Sequence, residues 1–304
     1  MNETEAVRAL TEAGIDAVAL RGFDVDDLCS FENPRARCLT FWKSVDTPGE
    51  NDLHRLPKST ALVTLPIHRG NLDSSGLAGI LSKEPRVAFG LLAHIMLSRV
   101  AQAGIHPTAT ISPTAKVNPT AYIGMQTYVG DASVGPSSLI GSNCVIHDGV
   151  TIGANVEIGD ATVIGVQGFG YVRLPDGGSV RIPHVGGVVI EDGVHIGANV
   201  TIERGTLDNT VLSAECRVGS LVHIAHNARI GLRATVISGA VLCGGAVVGA
   251  DAWIAPQATV REHTKVGDRA VVGLGSVVWR DVADDTAVMG SVARSLPMRP
   301  PVTE

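Results

Sequence analysis

The sequence predicts a mainly β protein in which a long parallel β-helix follows a small α/β domain. An aliphatic residue recurs every six positions through most of residues 105–278, and this period is absent from residues 1–100. The chain has 304 residues, of which 35 are Gly and only 4% are aromatic. That composition favours a narrow, repetitive interior filled by Val, Ile and small residues over an ordinary aromatic-rich core.

Residues 1–100 carry signals of a separate domain. ETEAVRALTEAG and EPRVAFGLLAHIMLSRV have helical spacing of their apolar residues, whereas TALVTLPI reads as a buried strand. We therefore predict a small α/β domain over residues 1–100.

The six-residue period predicts the second domain. Starting at Leu212 and stepping by six, twelve successive positions up to Val278 hold Leu, Ile or Val, and shorter runs precede them. A period of six matches neither a helix nor simple strand alternation. It fits a chain that turns a corner every six residues, so that three flat faces make an 18-residue coil and coils stack at about 4.8 Å. This is the signature of a hexapeptide-repeat parallel β-helix, which we predict over residues 101–282, followed by a short tail over 283–304.

Two segments interrupt the period. Residues 165–187 form a Gly- and Pro-rich insertion, and RGTLDNT at 204–210 is shorter. Such segments are either plain surface loops or loops that project over a site.

Composition limits the partners and the compartment. The net charge of −6 and the lack of a basic run argue against nucleic acid. The longest apolar run, near AFGLLAHIML, is about ten residues and therefore too short to insert stably in a membrane. Five cysteines without a C-x-x-C pair, and a first segment unlike a signal peptide, predict reduced thiols in a cytoplasmic protein.

The stretch SLVHIAHNARIG places a histidine at a corner. His226 follows the repeat residue Ile224 by two, Gly244 lies one 18-residue coil further, and His263 lies two coils and one residue further. All three should share one edge, with the histidine Cα atoms about 10 Å apart and room for a reacting group between them.

That edge suits acyl transfer. A histidine can act as general base, and a glycine N–H can stabilise an oxyanion. Without a Cys at this corner or a G-x-S-x-G elbow, direct transfer is expected rather than a covalent enzyme intermediate. His223 should face outward, in a supporting or intersubunit role.

SLVHIAHNARIG, GFGY, IERGTLDNT and REHTKVGD together resemble the UDP-3-O-(3-hydroxyacyl)glucosamine N-acyltransferases of lipid A biosynthesis. The resemblance covers residues 100–282 well and 20–98 faintly. It implies a left-handed β-helix and a homotrimer with active sites between neighbouring β-helices. It also implies a nucleotide-linked amino sugar as acceptor, bound in part by the 1–100 domain. The co-substrate would be an acyl-CoA or acyl-carrier-protein thioester, with no tightly bound cofactor.

The same resemblance implies roles for individual residues. The family's general base falls on His226, its second active-site histidine on His263 and its oxyanion glycine on Gly244. Substrate contacts are expected at Asn227, His223, Gln167, Phe169, Tyr171, Phe31, Asn33 and Trp279.

Three departures from the family fall on substrate recognition. Gln167 stands before GFGY where the family has Asp, Glu203 replaces the Asp of I-D-R-G, and Ala36 replaces a Tyr that helps to hold uracil. We therefore expect a divergent member that keeps the chemistry and uses a different acceptor, donor or both.

Trp279 bears on the donor. It lies one coil beyond His263, where the family receives the acyl chain, and its rigid side chain predicts a short donor, from acetyl to about hydroxybutyryl.

Three alternatives remain. The first is an acetyl-CoA-dependent sugar O- or N-acetyltransferase of surface-glycan or natural-product synthesis. The second is a zinc enzyme of the γ-carbonic-anhydrase type, with His195, His223 and His226 as ligands. The 31-residue separation of His195 from His226 is far from a multiple of 18, so no metal site is expected. The third is a non-catalytic scaffold.

Overall fold

The computed structural model describes residues 1–44, 46, 50–97 and 103–290. The chain divides into two compact units, Met1–Val100 and Ala101–Glu304.

The first unit is a five-stranded sheet with helices. Its helices are α1 (Glu3–Glu12), α2 (Glu50–His54), a 3-10 turn (Pro66–His68), α3 (Arg69–Ser75) and α4 (Pro85–Leu97). Its strands are β1 (Ala17–Leu20), β2 (Asp27–Leu28), β3 (Cys38–Trp42), β4 (Ala61–Thr64) and β5 (Ala78–Ser82). The sheet order is β1-β5-β4-β3-β2, and only β1 runs antiparallel to its neighbour.

Packing of the helices on this sheet makes the core of the first unit. Leu10 of α1 and Leu92 of α4 are fully buried against Leu39, Val63 and Ile80 of the strands. Helix α1 begins with a capping box, in which Asn2 Oδ1 accepts the Glu5 N–H at 3.0 Å and Glu5 Oε2 accepts the Asn2 N–H at 2.8 Å. Among the described residues, no helix has both the length and the apolar character needed to span a bilayer.

The second unit is a parallel β-helix with three faces, each a sheet of stacked short strands. The first face comprises β6 (Gly104–Ile105), β9 (Tyr122–Ile123), β12 (Leu139–Ile140), β15 (Glu157–Ile158), β20 (His195–Ile196), β23 (Arg217–Val218), β26 (Thr235–Val236), β29 (Trp253–Ile254), β32 (Val271–Val272) and β34 (Ala287–Val288). The second face comprises β7 (Thr110–Ile111), β10 (Tyr128–Val129), β13 (Val145–Ile146), β16 (Val163–Val166), β21 (Thr201–Glu203), β24 (His223–Ile224), β27 (Val241–Leu242), β30 (Thr259–Val260) and β33 (Val277–Val278). The third face comprises β8 (Lys116–Val117), β11 (Ser133–Val134), β14 (Val150–Ile152), β19 (Val188–Ile190), β22 (Thr210–Leu212), β25 (Arg229–Ile230), β28 (Val247–Val248) and β31 (Lys265–Val266).

The strand register confirms the 18-residue coil. Ile224 pairs with Leu242, Leu242 with Val260, and Val260 with Val278. All twelve predicted repeat residues from Leu212 to Val278 are buried and form one continuous core. Ile105, at the start of the period, is instead 49% exposed because its strand is the end strand of the first face.

The corners use left-handed backbone at a fixed place. The third residue after a repeat residue often has a positive φ even when it is not glycine, as at Asn143, Asn199, Asn227 and His263. Asn accepts this conformation more readily than most residues, which explains its recurrence at the corners.

The insertion at 165–187 folds as a hairpin. Strands β17 (Tyr171–Arg173) and β18 (Ser179–Arg181) pair antiparallel with each other, and each of their residues is exposed.

The β-helix extends past its predicted end at residue 282. Val266 bridges to Val282, and β34 pairs with β32 as part of a further turn. The end of the predicted tail, from residue 291, lies outside the described residues.

Candidate active site

Three successive corners stack on the edge between the second and third faces. The Gly245 N–H donates to the His226 carbonyl at 2.8 Å, and the His263 N–H donates to the Gly244 carbonyl at 3.0 Å. The structure thus places His226, Gly244 and His263 together on one edge.

Two adjacent glycines make room for the imidazoles. A Cβ atom on Gly244 would lie 2.7 Å from His226 Cε1 and 2.8 Å from its Nε2, and one on Gly245 would lie 2.5 Å from His263 Nδ1. Both rings therefore lie against a bare backbone. Sequence reasoning identified Gly244 and missed Gly245, although the pair was visible in CGGA.

Asn227 fixes the tautomer of His226. Its side-chain oxygen accepts the Thr206 N–H at 3.1 Å and the Thr206 hydroxyl at 2.8 Å. Since a backbone N–H can only donate, this atom is the oxygen, and the His226 Nδ1 that lies 3.0 Å from it must carry a proton. In the neutral ring, Nε2 then keeps its lone pair on the side of Gly244.

The fixed tautomer gives Asn227 a role within the protein, because its oxygen orients His226. The substrate contact that we predicted for Asn227 stays a prediction. Only the amide nitrogen is left for substrate.

Glu203 joins the two histidines of SLVHIAHNARIG. Its Oε2 accepts the His226 N–H at 3.0 Å, and its Oε1 lies 3.7 Å from His223 Nε2. The Glu203 side chain is only 10% exposed, whereas that of His223 is 40% exposed on the second face. Sequence reasoning noted Glu203 as a departure from the family but assigned it no place in the site.

His184 is a second imidazole beside His226 that sequence reasoning missed. It is 2% exposed, and the two ring centroids are 4.8 Å apart. Burial, followed by the nearby His226, lowers the pKa of His184. It comes from the insertion, and its only sequence signal is an isolated histidine in RIPHVGG.

Gln167 holds the His184 backbone. Gln167 Oε1 accepts the His184 N–H at 3.0 Å, and Gln167 Nε2 donates to the His184 carbonyl at 2.9 Å. Both ends of the Gln167 carboxamide are thus engaged within the protein, and the substrate contact expected at Gln167 stays a prediction.

The aromatic residues of GFGY are exposed to solvent. Phe169 is 84% exposed, and its ring centroid lies 5.1 Å from that of Tyr171. The glycines of the motif pack inward, since a Cβ on Gly168 would lie 3.0 Å from His226 Cδ2.

Trp279 lies on the outside of the same edge. It is 63% exposed, and the Arg261 guanidinium sits 4.3 Å from its ring centroid. Trp279 also lines a cavity of about 260 Å³ with Ser276, Val288 and Met289.

The first unit holds a separate aromatic cavity. Phe31 packs on Trp42, with ring centroids 4.6 Å apart, and both line a cavity of about 320 Å³ together with Lys43. Asn33 is not among the residues lining it, so the structure brings Phe31 to this cavity and leaves Asn33 out. Trp42 was missed by sequence reasoning.

The three proposed zinc ligands do not converge within the chain. His195 lies on the first face, with Nδ1 3.3 Å from Glu157 Oε2, whereas His223 lies on the second face. Within the part of the chain that the structure describes, no three His, Cys, Asp or Glu side chains are grouped to hold a metal ion.

Two family models match the β-helix. The bacterial transferase hexapeptide (six repeats) matches residues 131–165, and the hexapeptide repeat of succinyl-transferase matches residues 177–204.

Curated relatives match part of the chain. UDP-3-O-acylglucosamine N-acyltransferase of Rhizobium meliloti is 35% identical over 136 residues, which are 45% of this chain and 38% of the relative. The enzyme of that name from Methylobacillus flagellatus is 34% identical over 122 residues, which are 40% of this chain and 34% of the relative. The chain thus spans less than two fifths of the length of these relatives.

Solved structures share the fold. UDP-N-acetylglucosamine O-acyltransferase from Moraxella catarrhalis superposes with a TM-score of 0.57 at 26% identity, covering 61% of this chain and 71% of that one. UDP-N-acetylglucosamine acyltransferase from Campylobacter jejuni gives 0.54 at 21% identity, covering 60% and 70%. These matches confirm the left-handed β-helix. The chain thus carries hexapeptide repeats and is similar, over part of its length, to UDP-3-O-acylglucosamine N-acyltransferases.

Proposed function

We propose that the protein transfers an acyl group from a pantetheine thioester directly to the amino group of a nucleotide-linked amino sugar. One observation carries this proposal. The Nε2 lone pair of His226 is fixed by Asn227 against the bare Gly244 backbone, in a chain that is similar in sequence to N-acyltransferases over 45% of its length.

In the proposed reaction His226 takes a proton from the acceptor. The amine nitrogen attacks the thioester carbonyl carbon and its proton passes to His226 Nε2. The C–S bond of the tetrahedral intermediate then breaks, and the leaving thiolate takes that proton back. Glu203 contributes by holding the His226 backbone N–H.

Gly244 is suited to stabilise the intermediate. Among the described residues nothing accepts the Gly244 N–H, whereas the equivalent corner amide of Ala250 is capped by Asp268 Oδ1 at 2.9 Å. A free N–H beside the base can stabilise the developing oxyanion. His263, on the far side of the glycine pair, is placed to orient the donor or polarise its carbonyl.

The cavity of the first unit supports a nucleotide-linked acceptor. Its Phe31 and Trp42 rings offer a surface on which a base can stack, and Lys43 offers a cation for phosphate. Trp42 thus provides a second aromatic ring beside Phe31, in place of the tyrosine ring that the family has at the position of Ala36. The substitution Trp42→Ala should raise the acceptor KM with little change in kcat.

The second face supports a homotrimer. Most of its outward residues, such as Val145, Val163, Val241 and Val277, are uncharged, and the charge on this face is limited to Glu203, whose side chain is 10% exposed, and to His223 when protonated. The first and third faces expose charged side chains such as Glu157 and Arg229. We therefore propose that the second face meets the neighbouring subunit, with His223 at the contact.

The cysteines that the structure describes are free thiols, which supports a cytoplasmic location.

A second candidate is sugar acetyl transfer from acetyl-CoA to oxygen or nitrogen. The structural match to an O-acyltransferase, at 26% identity, is the observation that supports this second candidate.

A donor and acceptor matrix separates the two functions. Acetyl, 3-hydroxybutyryl and 3-hydroxymyristoyl groups, each on coenzyme A and on acyl carrier protein, are offered with UDP-glucosamine, UDP-N-acetylglucosamine and UDP-glucose. Released thiol and product mass are measured. We expect amide formation from short donors, with longer donors accepted after Trp279→Ala. Ester products alone would favour the second candidate, and the absence of any transfer would reject both.

A further inference from the structure

His184 touches the proposed base, yet the reaction described above gives it no part. Its ring lies edge-on to that of His226, with centroids 4.8 Å apart and an angle of 64° between the planes. At 2% exposure it is one of the most enclosed histidines of the chain. An enclosed imidazole in contact with the proposed base requires a functional explanation.

The tautomer of His184 follows from its neighbour. Its Nδ1 lies 3.0 Å from the Ile182 carbonyl oxygen. A carbonyl can only accept, so Nδ1 carries the proton and Nε2 keeps a lone pair in the neutral ring. Burial and the nearby His226 lower the pKa of His184, which keeps the ring neutral near pH 7.

The His184 Nε2 is unpaired and not completely enclosed. Among the described residues no donor bonds to it, and the unpaired side-chain atoms that are fully enclosed there are Thr40 Oγ1, His68 Nδ1 and Arg204 Nε. A Cβ on Gly168 would lie 2.6 Å from His184 Nε2 and 3.0 Å from His226 Cδ2. His184 Nε2 and the Cδ2 of His226, the carbon next to its Nε2, therefore lie beside the same face of Gly168.

The ring is held rigidly in this place. Gln167 binds both the N–H and the carbonyl of His184. Gly168 and Gly170 pack on the ring itself, since a Cβ on Gly170 would lie 3.1 Å from His184 Cε1. A fixed acceptor of this kind can discriminate between substrates, because an unmatched buried polar group is costly.

Counting protons on the nucleophile shows what such an acceptor would select. A neutral amine has two N–H groups: one proton goes to His226 during the reaction, and the other stays on nitrogen in the amide product. A hydroxyl has only one proton, so its remaining lone pairs would face the lone pair of a second acceptor.

We propose that His184 Nε2 accepts the retained N–H of the acceptor amine and thereby makes the site selective for N-acylation over O-acylation. This inference rests on the proposed function and adds the residue that decides between N-acylation and O-acylation.

The test compares two acceptors that differ at one position. UDP-glucosamine carries an amine where UDP-glucose carries a hydroxyl, and hydroxylamine treatment distinguishes esters, which it cleaves, from amides. Rates with each acceptor are measured for the wild type, His184→Phe and His184→Gln. The control is His195→Phe on the first face, whose ring pairs with Glu157.

We expect His184→Phe to lower the amide-forming rate by about tenfold to a hundredfold and to leave the ester-forming rate within about threefold. His184→Gln, which keeps an acceptor oxygen, should restore part of the amide rate. Gly168→Ala keeps both His184 and His226. It should also lower amide formation, because the new Cβ fills the space beside His184 Nε2. Gly168→Ala is the second variant if His184→Phe does not fold. His195→Phe should behave as wild type.

An equal fall in both rates for His184→Phe, or an unchanged ratio, would show that His184 only supports the insertion, and the inference would be wrong while the proposed function stands. A wild type that acylates neither acceptor with any donor would overturn the proposed function itself.

Discussion

At the scale of single residues, the site depends on side chains that other side chains hold in place. His226 has its Nδ1 fixed by Asn227 and its backbone N–H fixed by Glu203, so its Nε2 has one orientation, towards Gly244. An amide rather than a carboxylate next to the proposed base orients the ring without adding a charge. The Thr206 donors that fix this amide come from the loop RGTLDNT, which explains why the repeat is interrupted there.

Gly244→Ala tests the fit between base and backbone. The new Cβ would lie 2.7 Å from His226 Cε1 and must displace the ring. A misplacement of about 1 Å can reduce the rate about a hundredfold, so we expect a fall of that order in kcat with little change in melting temperature. Gly70→Ala, where a Cβ meets open space, is the control. An active Gly244→Ala variant would show that this contact is unimportant.

Protonation of His184, which is buried, and of His147, which is partly buried, should make the stability of the fold depend on pH. Burial lowers the pKa of both His184 and His147. Below the unfolded value of about 6.5, the unfolded chain binds protons that the folded chain does not. Stability is therefore fully present above that pH and falls as the pH drops towards the lowered values. Melting curves between about pH 7.5 and about pH 5.5 should show this fall, and His184→Gln should reduce it. The same slope in both proteins would contradict the assignment.

At the scale of elements, the repeat was predictable because each coil obeys the same local rule. A residue such as Ile224 or Leu242 must point inward at fixed spacing, so the period in the sequence is the period of the core. The coil register likewise follows by arithmetic, which is why the spacing alone assigns His226, Gly244 and His263 to one edge.

The insertion was not predictable in the same way. Its path is set by individual contacts, such as those between Gln167 and the His184 backbone, and no periodicity encodes them. Phe31 and Trp42 are similar, because their contact depends on how the loop after β2 meets β3. The sequence contains such residues, but it does not show which residues they contact in the folded chain.

Shortening the hairpin tests the function of the insertion. Replacing residues 172–180 with a Gly-Ser turn removes exposed apolar side chains such as Val172 and Val180 while keeping Gln167 and His184. Since these strands pair only with each other among the described residues, the melting temperature should change by only a few degrees. We expect kcat/KM for the acceptor to fall at least about tenfold, because water-exposed apolar surface of this kind typically covers a ligand or partner. An unchanged value would identify the hairpin as a passive surface loop.

At the scale of the whole molecule, the second face, whose outward side chains are mostly uncharged, is the proposed contact between subunits. Val241 lies next to His223 in the strand register. Val241→Lys should therefore introduce a buried charge in the trimer and dissociate it, with activity lost in parallel. Thr235→Lys on the first face, between Arg217 and Trp253, is the matched control. Light scattering gives the mass, and we expect three times the 31.5 kDa chain for the wild type and the control. A monomeric wild type with full activity would contradict this assembly.

The most direct test of the proposed active site is the effect of His226→Ala on acyl transfer with the donor and acceptor pair that the wild type uses best. Product mass and thiol release are followed together, and circular dichroism checks that the β-helix is intact. Because a positioned general base contributes about two to four powers of ten, we predict that turnover falls by that amount while the fold stays unchanged. His263→Ala should cost less. A His226→Ala variant that turns over at near wild-type rate would contradict the assignment of this corner as the active site.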